Sequence, residues 1–172
     1  MDYLRVALHA ALPALSGEGS RFLDFVIDHR GAPGAPRFVA ASLGLASRHQ
    51  LRRRLQREGL PSYEIVSAWV RVLYWVAEWE FEGVSLCELA LRSGADPASL
   101  YRTVQRVTGL GWTEARACGT ALLALRFRQH CRQAVGIARP DVKAGYSGNE
   151  DIELVSQGAS TLAPPVAPRA AG

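Results

Sequence analysis

Residues Arg48–Arg57 read RHQLRRRLQR. Five of the ten are arginine, and Leu51 and Leu55 stand four residues apart. On a helix that spacing puts both leucines on one face and leaves most of the guanidinium groups in water. A helix held down by two apolar side chains and armed with arginine is suited to lie against nucleic acid.

Outward from this stretch the chain reads as helix after helix. Asp2–Leu15 and Ser20–Arg30 are predicted helices, the second with Ser20 as N-cap and with Phe22, Leu23, Val26 and Ile27 at helical spacing. The glycines and prolines of residues 31–36 break the pattern. Helices are expected over Arg37–Leu43 and Ser47–Glu58, with a turn at Gly59–Pro61. Ser62 then caps a helix running to Glu82 and stopped by Gly83. Ile65, Trp69, Leu73 and Val76 form one stripe on it, and its other faces are apolar too, as expected of a helix packed on most sides. Ser85–Ser93 is a short helix before Gly94. Asp96-Pro97 supplies an N-cap and a first-turn proline for a helix ending at Gly109. Trp112–Val135 is a last helical stretch with a break expected at Gly119. From Pro140 onward large apolar side chains thin out, and residues 140–172 are expected to be a disordered tail. No β-alternation of any length occurs, so the fold is predicted to be all-α.

The 172 residues carry a formal net charge of +4, unevenly spread. Residues 1–36 hold three basic and four acidic groups, residues 37–139 fifteen and eight, and residues 140–172 two and four. The surplus lies in the middle block, where a polyanion can be met. Nearly all of it is arginine, whose planar fork donates two parallel hydrogen bonds to phosphate or guanine. Cys87, Cys118 and Cys131 are odd in number and form no CxxC, which argues against a disulfide framework or a zinc site. Each falls in a predicted helix and reads as a small reduced apolar residue. The apolar N-terminus has Asp2, no basic leader and Pro13, and reads as a helix of the fold rather than a signal peptide. No apolar run reaches the roughly 20 residues of a membrane span. The default expectation is a reducing cytoplasm and no membrane.

Two stretches repeat at about fifty residues. Residues 38–47 lead into Arg48–Glu58, and residues 86–94 lead into Asp96–Thr108. Each has a short apolar helix with a buried-type alanine (Ala40, Ala90), a glycine at the turn (Gly44, Gly94), then a longer helix with an inner leucine. The helix predicted between them is about 32 Å long at 1.5 Å per residue. Successive major-groove faces of B-DNA lie roughly 34 Å apart.

On these residues the span Arg37–Arg116 resembles the paired helix-turn-helix domain of AraC/XylS-type transcriptional regulators. The first half is similar in Ala40, Leu43, Gly44, Ser47, Leu51, Arg54 and Gly59, and the linker in Trp69 and Arg71. The second half is similar in Val84-Ser85, Leu89-Ala90, Gly94, Ser99, Tyr101-Arg102, Arg106, Thr108-Gly109 and Arg116. It departs at Ala95, where the family has an aromatic, and at Gly111, where a proline is expected. The resemblance implies two homeodomain-like helix-turn-helix subdomains on a long linker helix, with residues 1–36 packed on the domain and too short to form a sensor.

The function expected is sequence-specific binding of double-stranded DNA through two recognition helices in adjacent major grooves. Arg48, His49, Arg52, Arg53 and Gln56 are the expected DNA-binding residues of the first unit. Ser99, Arg102, Thr103 and Arg106, with Ala98 beside them, are those of the second. Within each set some contact base edges and the rest phosphate. Arg126, Arg128 and Arg132 either reach phosphate or are solvated. Trp69 and Trp75 read as core, and His130 beside Cys131 as a poor metal site, because adjacent residues diverge on a helix. No GxSxG, P-loop, HExxH or glycine-rich nucleotide loop is present, so neither an enzyme nor a cofactor or metal is expected. Glu78, Glu80 and Glu82 read as the polar side and end of the linker. The competing expectation is a helix-turn-helix module that docks on RNA polymerase or another regulator without reading DNA.

Overall fold

The computed structural model describes residues 2–137, with backbone alone for the last three. The expected tail from residue 140 lies outside the described residues. Within them the chain forms eight helices and no strand: α1 (Asp2–Ala11), α2 (Gly17–Asp28), α3 (Pro36–Ser42), α4 (Arg48–Arg57), α5 (Tyr63–Glu82), α6 (Leu86–Ser93), α7 (Pro97–Thr108) and α8 (Trp112–Ile137). The fold is all-α. No helix among the described residues is long and apolar enough to cross a membrane.

Helix α5 is the axle. Val66, Val70, Val72, Leu73 and Val76 have no exposed surface, and Trp69, Tyr74 and Trp75 are buried around them. Buried side chains therefore point from nearly every side of the helix, each gaining roughly 1.5–3 kcal/mol from leaving water. Ile65 is the exception to the predicted stripe: it stands partly in solvent at the start of the helix. Helix α8 lies along α5 and also carries α1. The Phe127 ring of α8 sits 5.5 Å from Trp69 of α5, and the His130 ring lies tilted 5.8 Å from the same indole. Gly119 interrupts α8 with φ 71° and ψ 168°, a conformation open essentially to glycine alone, so α8 is two helices joined at a kink.

Residues 2–36 are bolted to this frame by polar contacts as well as by Leu4, Leu8, Phe22, Leu23, Val26 and Ile27. Arg5 pairs with Asp24 at 3.2 Å and with Asp28, joining α1 to α2. His9 Nε2 lies 2.9 Å from the same Asp24 carboxylate. Helix α2 begins earlier than the sequence suggested. Its N-cap is Ser16, whose side chain accepts from Gly19 N–H, and Ser20 lies inside the first turn. The reason is a distant carboxylate: Glu58, after α4, accepts the Ser16 N–H at 2.9 Å and also the Ser16 hydroxyl. An anion at a helix N-terminus is favoured by the exposed N–H groups and the helix dipole. Gly19 leaves room for it, since a Cβ there would lie 2.5 Å from Glu58 Oε2.

The connection from α2 to α3 presses on α5. A Cβ on Gly31 would lie 2.4 Å from the Arg71 backbone nitrogen, and Gly31 has φ 72°. Arg71 Nη2 donates to the Gly31 carbonyl at 2.9 Å. The Tyr63 hydroxyl donates to the Gly34 carbonyl at 2.5 Å, fixing the next stretch to the start of α5.

Candidate nucleic-acid interface

The two helix pairs, α3–α4 and α6–α7, turn by the same backbone device. Leu45 N–H donates to Ala40 C=O at 2.8 Å, and Ala95 N–H to Ala90 C=O at 2.9 Å. Gly44 and Gly94 occupy the left-handed positions with φ 71° and 65°. Hydrogen bonds of this span over a left-handed glycine end a helix and satisfy its last carbonyls. Ala40 and Ala90 are both buried, as are Leu51 and Leu55 on α4 and Leu100 and Val104 on α7. The second turn is one residue shorter: Ser47 caps α4, whereas Asp96 caps α7.

Helix α4 opens with reciprocal capping. The Ser47 hydroxyl accepts from Gln50 N–H, and Gln50 Oε1 accepts from Ala46 N–H at 2.9 Å. Leu51 and Leu55 bury the inner face, and Arg48, His49, Arg52, Arg53 and Gln56 are all exposed. Arg54 differs from its neighbours. It turns inward, is 23% exposed and pairs with Glu18 of α2 at 3.0 Å. Among the described residues it is the only arginine of α4 with a carboxylate partner. Arg48/Arg52 and Arg53/Arg57 are like-charged i,i+4 pairs, each opposing the helix by about 0.2–0.5 kcal/mol. Burial of the two leucines offsets this, and among the described residues no carboxylate pairs with the positive charge of the exposed face.

Helix α7 is capped twice by Asp96, which accepts from Ala98 and Ser99 N–H at 3.2 Å each. Arg102 and Arg106 are exposed on it. Arg102 lies 3.5 Å from Asp96 and donates through Nε to the Ala98 carbonyl, so its charge is partly engaged. Ser99 and Thr103 are half-buried, and their hydroxyls donate to the carbonyls of Asp96 and Ser99 at 2.6 and 2.8 Å. They line a cleft of about 640 Å³ between α5, α6 and α7, into which Arg30, Arg71, Arg92 and Glu78 also reach. Burial raises the Tyr74 phenol in this cleft above its usual value, with Glu78 adding to the shift and Arg30 and Arg92 opposing it.

A smaller cleft of about 410 Å³ separates α4 from the start of α5 and is lined by Arg48, His49, Arg52 and Glu64 among others. Glu64, Arg71, Trp75 and Glu78 recur on α5 at intervals of seven, four and three, which is one helical face. That stripe lines the α4 cleft at one end and the α7 cleft at the other.

The arginine-rich first set thus lies together on one exposed face of α4, and the second set is split between an exposed pair and a cleft-lining pair. Sequence reasoning missed the inward use of Arg54 and the arginines at 30, 71 and 92. The positive φ of 53° at Arg30, uncommon for a non-glycine residue, has no signature in sequence. Of the cysteines, Cys131 is buried, Cys118 is half-buried and Cys87 is exposed, with its sulfur 3.6 Å from the Tyr101 hydroxyl. Among the described residues no group of three or more potential ligands gathers for a metal ion.

No family model matches the chain, and comparison with curated proteins and with solved structures also finds no match.

Proposed function

We propose that the protein is a sequence-specific DNA-binding transcriptional regulator of the AraC/XylS type, acting in the cytoplasm. Helices α3–α4 and α6–α7 serve as two homeodomain-like helix-turn-helix subdomains on the α5 linker. Helices α4 and α7 enter neighbouring major grooves. One observation carries this function: the same glycine turn, fifty residues apart, leads into two helices with an apolar inner face and exposed arginines. The shared α5 stripe supports a common side for both. Its 20 residues span about 30 Å, close to one turn of B-DNA.

Arginine–phosphate contacts supply most of the affinity, so binding falls steeply as salt rises. Specificity comes from two or three side chains of the Arg48, His49, Arg52, Arg53 and Gln56 face, with Arg102 and Arg106 contributing from α7. Selection of duplexes from a random library tests this. The expected result is enrichment of two short motifs whose centres lie about one helical turn apart. An unenriched pool, with binding that depends on salt alone, would overturn it.

A second reading has one observation in its favour: Ser99 and Thr103 line a cleft rather than an open face. A helix-turn-helix module docking on RNA polymerase or another regulator needs no base contact from them. Capture of polymerase that survives nuclease treatment, together with no retention on DNA at low salt, would favour that reading.

A further inference from the structure

The cleft between α5 and α7 has the chemistry of a ligand site. Three guanidiniums line it, from Arg30, Arg71 and Arg92. Arg92 has Glu88 as counter-ion at 2.6 Å, and among the described residues Glu78 is the one carboxylate in the lining, so within them one positive charge stays uncovered. Arg71 spends one donor on the Gly31 carbonyl and keeps the rest of its fork. Arg30 is presented from a left-handed backbone, with its guanidinium 5.2 Å from the centre of the Tyr74 ring. Strain of that kind concentrates where a side chain must be aimed. The cleft also holds acceptors. The Ser99 and Thr103 hydroxyls give their protons to helix carbonyls, leaving lone pairs for a ligand, and Glu78 adds two acceptor oxygens.

We propose that this cleft binds a phosphate ester of a polyol, a sugar phosphate or ribonucleotide. Its phosphate sits on Arg30 and Arg71, and its hydroxyls donate to Glu78, Ser99 and Thr103. Planar guanidiniums favour phosphate, and the cavity volume suits a small metabolite. A carbohydrate without phosphate leaves the arginines uncovered, and inorganic phosphate leaves the acceptors unmatched. The phosphate can come from a free metabolite or from a DNA backbone, whose sugars in a duplex have no free hydroxyl to offer. A free ligand would occupy the α7 face that carries Ser99 and Thr103 and so compete with DNA there. That last consequence rests on the regulator reading; the binding itself does not.

Calorimetry with ribose 5-phosphate on the full chain tests the site, with ribose and inorganic phosphate alongside. Arg30→Gly removes the guanidinium while easing the left-handed backbone, so folding is preserved, and an unchanged or raised unfolding midpoint checks this. Glu78→Gln tests the acceptors. Saturable binding of ribose 5-phosphate is expected, weakened at least tenfold by Arg30→Gly and about threefold by Glu78→Gln, with ribose not binding. Inorganic phosphate binding as well as ribose 5-phosphate would overturn the sugar assignment. If ribose 5-phosphate does not bind, but Arg30→Gly lowers the salt slope of binding to random-sequence duplex by about one, the phosphate source is DNA. If neither occurs, the site does not exist. Ribose 5-phosphate binding by a protein that retains no DNA would sink the regulator reading alone.

Discussion

Glu80 Oε2 accepts the backbone N–H of Thr120 at 2.9 Å. A carboxylate near the end of α5 thereby caps the second half of α8 at the residue after the Gly119 break. The linker and the closing helix are tied where the latter would otherwise fray, and the cap also sets where Leu123 and Phe127 enter the core.

Removing that cap should cost stability. Glu80→Ala is expected to lower the unfolding free energy by about 1 kcal/mol, the usual worth of an N-cap, and Glu80→Gln by less because it keeps an acceptor. Gly119→Ala is expected to cost roughly 1–3 kcal/mol through its backbone conformation. Urea denaturation of the three variants checks the order.

Gly31 and Gly44 both have positive φ but face different surroundings. A Cβ on Gly31 would meet the Arg71 backbone at 2.4 Å, whereas one on Gly44 meets nothing within 4 Å. Gly44→Ala should cost only left-handed strain, roughly 1–2 kcal/mol. Gly31→Ala adds overpacking of about 1–3 kcal/mol to the same strain. Equal midpoints for the two in thermal unfolding would show that α5 is not held as described.

The arginines of α4 should divide by role. Arg52→Ala and Arg53→Ala are expected to leave the unfolding midpoint unchanged or slightly raised, since each removes one like-charge pair, and to weaken binding to a selected duplex at fixed salt. At least one of them should relax base preference by roughly 1–3 kcal/mol. Arg54→Ala should instead cost up to about 1 kcal/mol of stability, because its partner Glu18 is half in solvent and the pair is screened. Unchanged affinity in both Arg52 and Arg53 variants would remove α4 from the interface.

Burial pushes the Cys131 thiol from its ordinary 9.0 up to about 12. A thiol whose folded value is raised contributes stability that is intact below the unfolded value and is lost as pH climbs through the folded one. The wild type should therefore lose stability between about pH 9 and pH 12 relative to Cys131→Ala, which cannot ionise there. At pH 8 an aromatic disulfide reagent should label Cys87 readily and Cys131 only on unfolding.

Most elements were legible because their signals are local. Phe22, Leu23, Val26 and Ile27 announced α2 by spacing, and Asp96-Pro97 announced the start of α7 to the residue. The α4 pattern of two leucines under arginines left one face to bury, and Leu51 and Leu55 bury it. What stayed hidden depends on partners far along the chain. Ser20 reads as the cap from sequence, and only Glu58, 42 positions from Ser16, draws the start of the helix forward to Ser16. Glu80 read as one more solvated acid until Thr120 arrived beside it. Helical spacing set Arg54 apart from the Arg48–Gln56 face, but its partner Glu18 could not be read from sequence. The α7 cleft needed three separate helices and the α2–α3 connection to assemble, and no window of sequence contains it.

Glu58 follows directly on α4 and grips Ser16 at the beginning of α2. The orientation of the arginine face is thus geared to the first thirty residues through two acidic side chains, Glu58 on Ser16 and Glu18 on Arg54. A tug or a tilt delivered to α2 is transmitted to the arginine-bearing surface of α4 with little slack, which makes the front of the molecule a steering arm for that helix.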